Sequence, residues 1–317
     1  MPTPMQPKPR REQLLNAAAS SATGAAVIFL TNPLDCLKQR WQVAPTALTT
    51  TRANAGLLGF GGKIVASEGF VRGLWLPGLA ANCCACSISV GTRLGLYPQL
   101  RDAIGQPAQG GGGGVFSGLL SGLAGGALGY VVAAPLFYAS RVAHAEAGRS
   151  VDTAAEPGRP ARLSAAARRS SLHLLACIGE DGIGALWRGA SVLVARGAVM
   201  SATQLATYDA SKKALTITGG LREGPTVHAL ASFAASLVLT TAICPLDVVL
   251  TRFQAGPLLG QPFKTPLQAF GTIVGEGGAV ALFRGWGPLW ARFLPSSLLT
   301  FVIYEQARRL LVGNYMD

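Results

Sequence analysis

Charge is scarce in this chain. Asp, Glu, Lys and Arg make up only 13% of its 317 residues, well short of the roughly 25% expected of an ordinary soluble domain. Acids are scarcer still, 15 against 27 Lys and Arg, which leaves a formal charge of +12. The six cysteines (36, 83, 84, 86, 177 and 244) and the three histidines show no matched metal-ligand spacing. Neither a zinc site nor a disulfide framework is expected, and the thiols read as small packing residues. No nucleophile-base pair or phosphate loop is visible, so catalysis and a bound cofactor are not expected. The positive charge comes without a finger, a recognition helix or an aromatic-plus-basic platform, which argues against nucleic acid. No apolar leader core with a cleavage site follows the basic start MPTPMQPKPRRE; it reads as a short tail before a first span, with any organelle targeting internal.

What the chain does have is apolar sequence. Half of it is hydrophobic, and 40 Gly are spread with Ala and Ser through the apolar stretches. That is the composition of closely packed transmembrane helices. In this setting surplus Lys and Arg fit anionic lipid or an anionic solute.

Internal repetition sets the organisation. Pro-Leu dipeptides at Pro33, Pro135 and Pro245 recur about every hundred residues. After each comes a Glu with an aromatic seven residues on: Glu68 and Trp75, Glu180 and Trp187, Glu276 and Phe283. Arg188-Gly189 and Arg284-Gly285 follow the second and third aromatics, and Tyr97, Tyr208 and Tyr304 close the three units. The expected divisions are 1–105, a Gly-rich flexible linker at 106–114, then 115–218 and 219–317, with a disordered insertion at 143–165. The expected spans are 13–40, 76–100, 114–142, 190–212, 227–253 and 286–309. Two spans per repeat insert all three repeats in one orientation, which predicts an all-α membrane protein: six transmembrane helices in a pseudo-threefold barrel, with short amphipathic helices in the loops. The intra-repeat loops and their flanks hold more than half of the 27 basic residues, which places those loops on one side of the membrane and both termini on the other.

These residues resemble the mitochondrial carrier family, whose odd helices carry P-x-[DE]-x-x-[KR]-x-[RQ] and whose even helices end in [FY]-[DE]-x-x-[RK]. Repeat one supplies Pro33, Asp35, Lys38 and Arg40; repeat three supplies Pro245, Asp247 and Arg252 but has Leu250; repeat two keeps Pro135 and has Phe137 and Ser140. The resemblance implies kinks at Pro33, Pro135 and Pro245 and a matrix gate of Asp35, Lys38 and Asp247. In that gate Asp247 bonds Lys38, Asp35 faces Ser140, and Phe137 faces Leu250. At the other end it implies a cytosolic gate of Arg101, Asp209, Lys212, Glu305 and Arg308. An acid and a base three apart share one helical face, and at membrane depth that face must turn inward. With a single matrix-side bond, the gate beside the loops is expected to be the electrostatically weaker one.

Twelve residues before the closing tyrosines stand Ala85, Arg196 and Arg292, positions that the family uses to contact its solute. The resemblance makes these, with Gly197, the substrate site, and Arg93 an assisting or attracting cation. The strings GTRLGLY, RGAVMSATQLATYD and ARFLPSSLLTFVIYEQ are similar to the branch that carries dicarboxylates, oxoglutarate and oxaloacetate. The implied function is alternating-access transport of a di- or keto-carboxylate, or sulfate, across the mitochondrial inner membrane by a monomer, with both termini toward the intermembrane space. Cardiolipin is the implied lipid at the Gly-basic loop elements. A proton or fatty-acid leak and a non-transporting adaptor are the alternatives. Gly118, Gly122 and Gly126 are expected to line a close helix contact, and His144, His173 and His228 to be solvated.

Overall fold

The computed structural model describes residues 10–43, 56–104, 113–153, 182–213, 225–257 and 263–293, with isolated positions elsewhere. Among them the regular structure is helical. Helix α1 (Arg10–Val43) is followed by a loop helix α2 (Gly56–Glu68), a π turn (Val71–Trp75) and α3 (Leu79–Ile104). The second unit has α4 (Gly113–Thr153), a 3-10 turn (Ile183–Trp187) and α5 (Ala190–Lys213). The third has α6 (Pro225–Ala255), a loop helix α7 (Pro266–Gly277), a 3-10 turn (Ala279–Phe283) and a helical stretch at 286–293.

Each proline lies inside its long helix. Proline has no N–H, so the carbonyl four residues earlier loses its helical donor. The repeat-marking tryptophans meet that need. Trp75 Nε1 donates to Phe29 O and Trp187 Nε1 to Val131 O, both at 2.8 Å. Where Phe283 takes the tryptophan's place, Trp286 Nε1 donates instead to Thr241 Oγ1 at 3.0 Å. In the first two repeats the loop element's aromatic, and in the third the tryptophan three residues beyond it, is thereby tied to the helix its own repeat began with.

The odd helices α1, α4 and α6 touch one another pairwise, α3 lies against α1 and α4, and α5 against α4 and α6. The stretch at 286–293 packs on α6, where Trp286, Leu289 and Phe293 meet Cys244 and Val248. Polarity runs inside out. Asn32, Asp35, Lys38, Gln39, Thr240 and Asp247 are buried, while Phe29, Leu30, Leu128, Val132, Phe233 and Val238 are exposed, as a bundle solvated by lipid requires. Buried Thr23, Thr31, Thr240 and Thr251 each donate to the carbonyl four residues back, which satisfies the hydroxyls within one helix.

One sequence expectation is met in part and three change. Among the described residues three stretches, not six, are long and apolar enough to cross a membrane: Leu120–Ala147, Ile183–Met200 and Phe233–Ala255. Helices α1 and α3 are as long but carry polar and charged side chains, several of them turned inward. Helix α4 begins at Gly113, inside the expected linker, and runs on through 143–153, inside the expected insertion. Val142 and Ala145 explain the extension, for they are buried with Val43, Tyr138 and Ala255. Residues 154–165 lie outside the described residues. The close glycine contact is made by Gly125 and Gly129, where a Cβ would press on the backbone of Arg93 and Ser89; Gly122 has open space there and Gly126 only ordinary contact.

Candidate functional site

Where α1, α5 and α6 meet, one carboxylate gathers three donors. Asp247 Oδ2 accepts from Lys38 Nζ at 2.6 Å and from Gln42 Nε2 at 3.3 Å. Its Oδ1 lies 2.9 Å from Arg196 Nε. Asp35 forms a second centre, with Oδ1 2.7 Å from Arg292 Nε and Oδ2 accepting from Asn82 at 3.5 Å. Asn82 also donates to Asn32 Oδ1, and Asn32 donates to Pro77 O at 3.1 Å. Asp35, Lys38, Arg196 and Asp247 are all buried.

The expected single pair, Asp247 with Lys38, is therefore one of three. Asp35 is paired with Arg292 and does not depend on Ser140, whose Oγ is buried without a partner. Arg196 and Arg292, expected as free solute contacts, are held by the gate aspartates. The reason is electrostatic: a guanidinium in a low-dielectric interior needs a counter-charge, and Asp35 has Ser140 where its own base would stand, while Asp247 takes Arg196 on the oxygen that Lys38 leaves open. Two other expected solute contacts are buried. Ala85 is completely buried, and the space beside Gly197 is filled by the Tyr130 ring, into which any Cβ would run. Arg93 is exposed, its stem passing Gly126.

Phe137 and Leu250, where an ion pair was lacking, belong to one apolar cluster with Ala134 and Leu193. Below it Arg141 Nη1 donates to Gln254 Oε1 at 2.8 Å, and Gln254 Nε2 donates to Arg188 O at 2.8 Å. At the end of the first span, Arg40 Nη2 holds Glu68 Oε2 of the loop helix at 2.8 Å. Burial raises the Glu68 carboxyl above its ordinary range, against the opposing pull of Arg40. The matching pair, Arg252 with Glu276, is looser at 3.6 Å and more exposed.

Of the expected cytosolic gate, Arg101, Asp209 and Lys212 lie on α3 and α5. Their side chains, and Glu305 and Arg308 altogether, lie outside the described residues. His144 is a correction. It is fully buried on α4 rather than solvated, because the helix extends past its expected end. Sequence reading missed Gln42, Gln254 and Arg141. The signal for the first two was their shared place nine residues after Pro33 and Pro245; for Arg141 it was a base displaced by one from position 140.

A model of the family described as mitochondrial carrier protein matches residues 10–107, 112–218 and 222–315. Among curated relatives, the mitochondrial 2-oxoglutarate/malate carrier protein of Mus musculus is 31% identical over 294 residues, 90% of this chain and 86% of that protein. The protein of that name from Caenorhabditis elegans is 38% identical over 129 residues, 40% of this chain and 42% of its own length. Mitochondrial uncoupling protein 1 of Arabidopsis thaliana is 29% identical over 304 residues, 92% of each chain.

Proposed function

The chain belongs to the mitochondrial carrier family, in its dicarboxylate and oxoglutarate-like branch, and on that premise we propose that it moves a di- or keto-carboxylate across the inner membrane by alternating access. The observation that carries this reading is the pairing of Arg196 with Asp247 and of Arg292 with Asp35 at 2.9 and 2.7 Å. Two guanidiniums on even helices are held by two carboxylates on odd helices. A dianion entering the bundle offers each guanidinium a second carboxylate, in the bidentate geometry that Arg favours. Drawing both arginines toward the solute removes a counter-charge from both aspartates, which loosens the ends of α1 and α6. Binding thus favours the state in which those ends are apart, and that differential affinity drives the cycle.

In this reading the six spans form a pseudo-threefold barrel, with repeats at 1–105, 115–218 and 219–317. The loop helices face the matrix and the termini the intermembrane space. Asp35, Lys38 and Asp247 gate the matrix side; Arg101, Asp209, Lys212, Glu305 and Arg308 gate the other; and Arg93 stands on the approach. The carrier acts as a monomer, with cardiolipin at the Gly-basic elements. Oxaloacetate-like acids and sulfate remain within the chemistry of two arginines. The test is exchange in liposomes preloaded with 2-oxoglutarate, malate, oxaloacetate or sulfate. Uptake should require a counter-anion and vanish in the Arg196→Ala, Arg292→Ala double variant. Normal exchange by that variant would refute the site. The likeness to an uncoupling protein supplies the second reading, a proton leak needing no internal anion, which the unloaded liposomes report.

A further inference from the structure

Gln42, His144 and Gln254 stand nine residues after Pro33, Pro135 and Pro245. Each packs on the positive-φ glycine that opens an even helix of a neighbouring repeat: Gly285, Gly78 and Gly189, with φ of 93°, 61° and 80°. A Cβ on Gly285 would lie 3.1 Å from Gln42 Nε2, one on Gly189 3.2 Å from Gln254 Nε2, and one on Gly78 2.9 Å from His144 Nε2. The two glutamines donate across this contact, Gln42 to Arg284 O at 3.5 Å and Gln254 to Arg188 O at 2.8 Å. In the second repeat the same place holds an imidazole, fully buried, with the Pro77 carbonyl, which precedes Gly78, as its backbone partner.

Glutamine cannot titrate, whereas histidine changes charge near neutral pH. The α1 charges near enough to act on His144 are Asp35, Lys38 and Arg40. From α3 the nearest polar group is Asn82, which joins the Gly78 turn to Asp35. Helix α6 carries Asp247, Arg252 and Gln254, and α4 itself carries Arg141 and Glu146. Most of these are engaged: Lys38 with Asp247, Arg40 with Glu68, Arg252 with Glu276, and Arg141 with Gln254. The proposed transport cycle takes Arg196 from Asp247, which keeps Lys38, and Arg292 from Asp35, which is left with no basic partner among its described contacts.

We propose that His144 is a proton-binding site of the gate: when the transported anion draws Arg292 from Asp35, the imidazole takes a proton from water and becomes the cation facing Asp35. One proton then binds with each anion, and each promotes the binding of the other by the same factor. This rests on the transport reading above and adds a proton to its cargo.

The test is malate exchange in liposomes at about pH 6 and about pH 8, a range spanning the ordinary histidine titration. In the wild type KM should rise roughly fivefold or more from the lower to the higher pH. In His144→Gln, which places there the residue the other two repeats use, KM should be flat. A wild-type pH profile in the variant overturns the inference and leaves the transport reading standing; absence of exchange by the wild type overturns both. Should His144→Gln fail to insert, labelled histidine in a His173→Gln, His228→Gln chain gives a direct readout. Its imidazole resonance should shift toward the protonated form when malate is added near neutral pH, and an unmoved resonance overturns the inference.

Discussion

Two junctions between odd helices close the same end of the molecule by opposite means. Between α6 and α1, Asp247 receives Lys38 and Gln42. Between α4 and α6, Phe137 and Leu250 pack with Ala134 and Leu193. Closure alone does not need charge, since a buried ion pair and a well-packed apolar pair of similar volume are close in stability. A transported anion, however, can compete only for charge. On the transport reading proposed above, the charged junction is the part of the gate that cargo can address, and the apolar one is a passive seam. That division explains why Arg196 and Arg292 sit on Asp247 and Asp35 rather than opposite Phe137.

The sharpest way to break this comparison is to remove its hub. Asp247→Ala leaves Lys38 and Arg196 buried without their counter-charge and should destabilise by about 3–5 kcal/mol, read as a large fall in melting temperature of the detergent-solubilised protein. Adding Lys38→Ala should recover part of that loss, because one stranded cation is gone. A loss no larger than a surface substitution gives would mean that packing, not charge, holds this junction too.

A smaller effect is expected between α4 and α5, beside the seam. Gly197→Ala drives a methyl into the Tyr130 ring, which packs at that glycine, and over-packing of this kind costs about 1–3 kcal/mol. Trimming the ring with Tyr130→Leu should restore the melting temperature of Gly197→Ala. Failure of that rescue would return Gly197 to the solute path.

Much of this was legible in the sequence because repetition at a fixed register carries information that single residues do not. The three prolines and the aromatics after each Glu follow from it, and the Asp247 to Lys38 pair from the family resemblance that they support. The side of a helix that a small residue faces did not, so Gly122 and Gly126 were read where Gly125 and Gly129 pack. Burial was misjudged where a helix outran its apolar stretch, as at His144 on the extended α4. The partners of Arg196 and Arg292 were missed because a rule that pairs odd helices with one another cannot see an even-helix cation filling a vacancy.

The smallest effect compares the two ion pairs that tie loop helices to odd helices. Arg40 and Glu68 are buried at 2.8 Å, whereas Arg252 and Glu276 stand at 3.6 Å with the carboxylate side well exposed. Water screens the second pair and its side chains retain freedom, so a double-mutant cycle across Arg252→Gln and Glu276→Gln should give at most about 1 kcal/mol. The same cycle across Arg40→Gln and Glu68→Gln should give more, because each single substitution strands a largely desolvated charge or a buried polar group. Repeat two has no counterpart to Arg40, its position being taken by buried Val142. Val142→Arg would therefore force a cation into the apolar cluster of Val43, Tyr138 and Ala145 and should lower stability rather than complete a third tie. Equal coupling in the two natural pairs would show that exposure does not set their strength, and the graded difference between repeats would lose its physical basis.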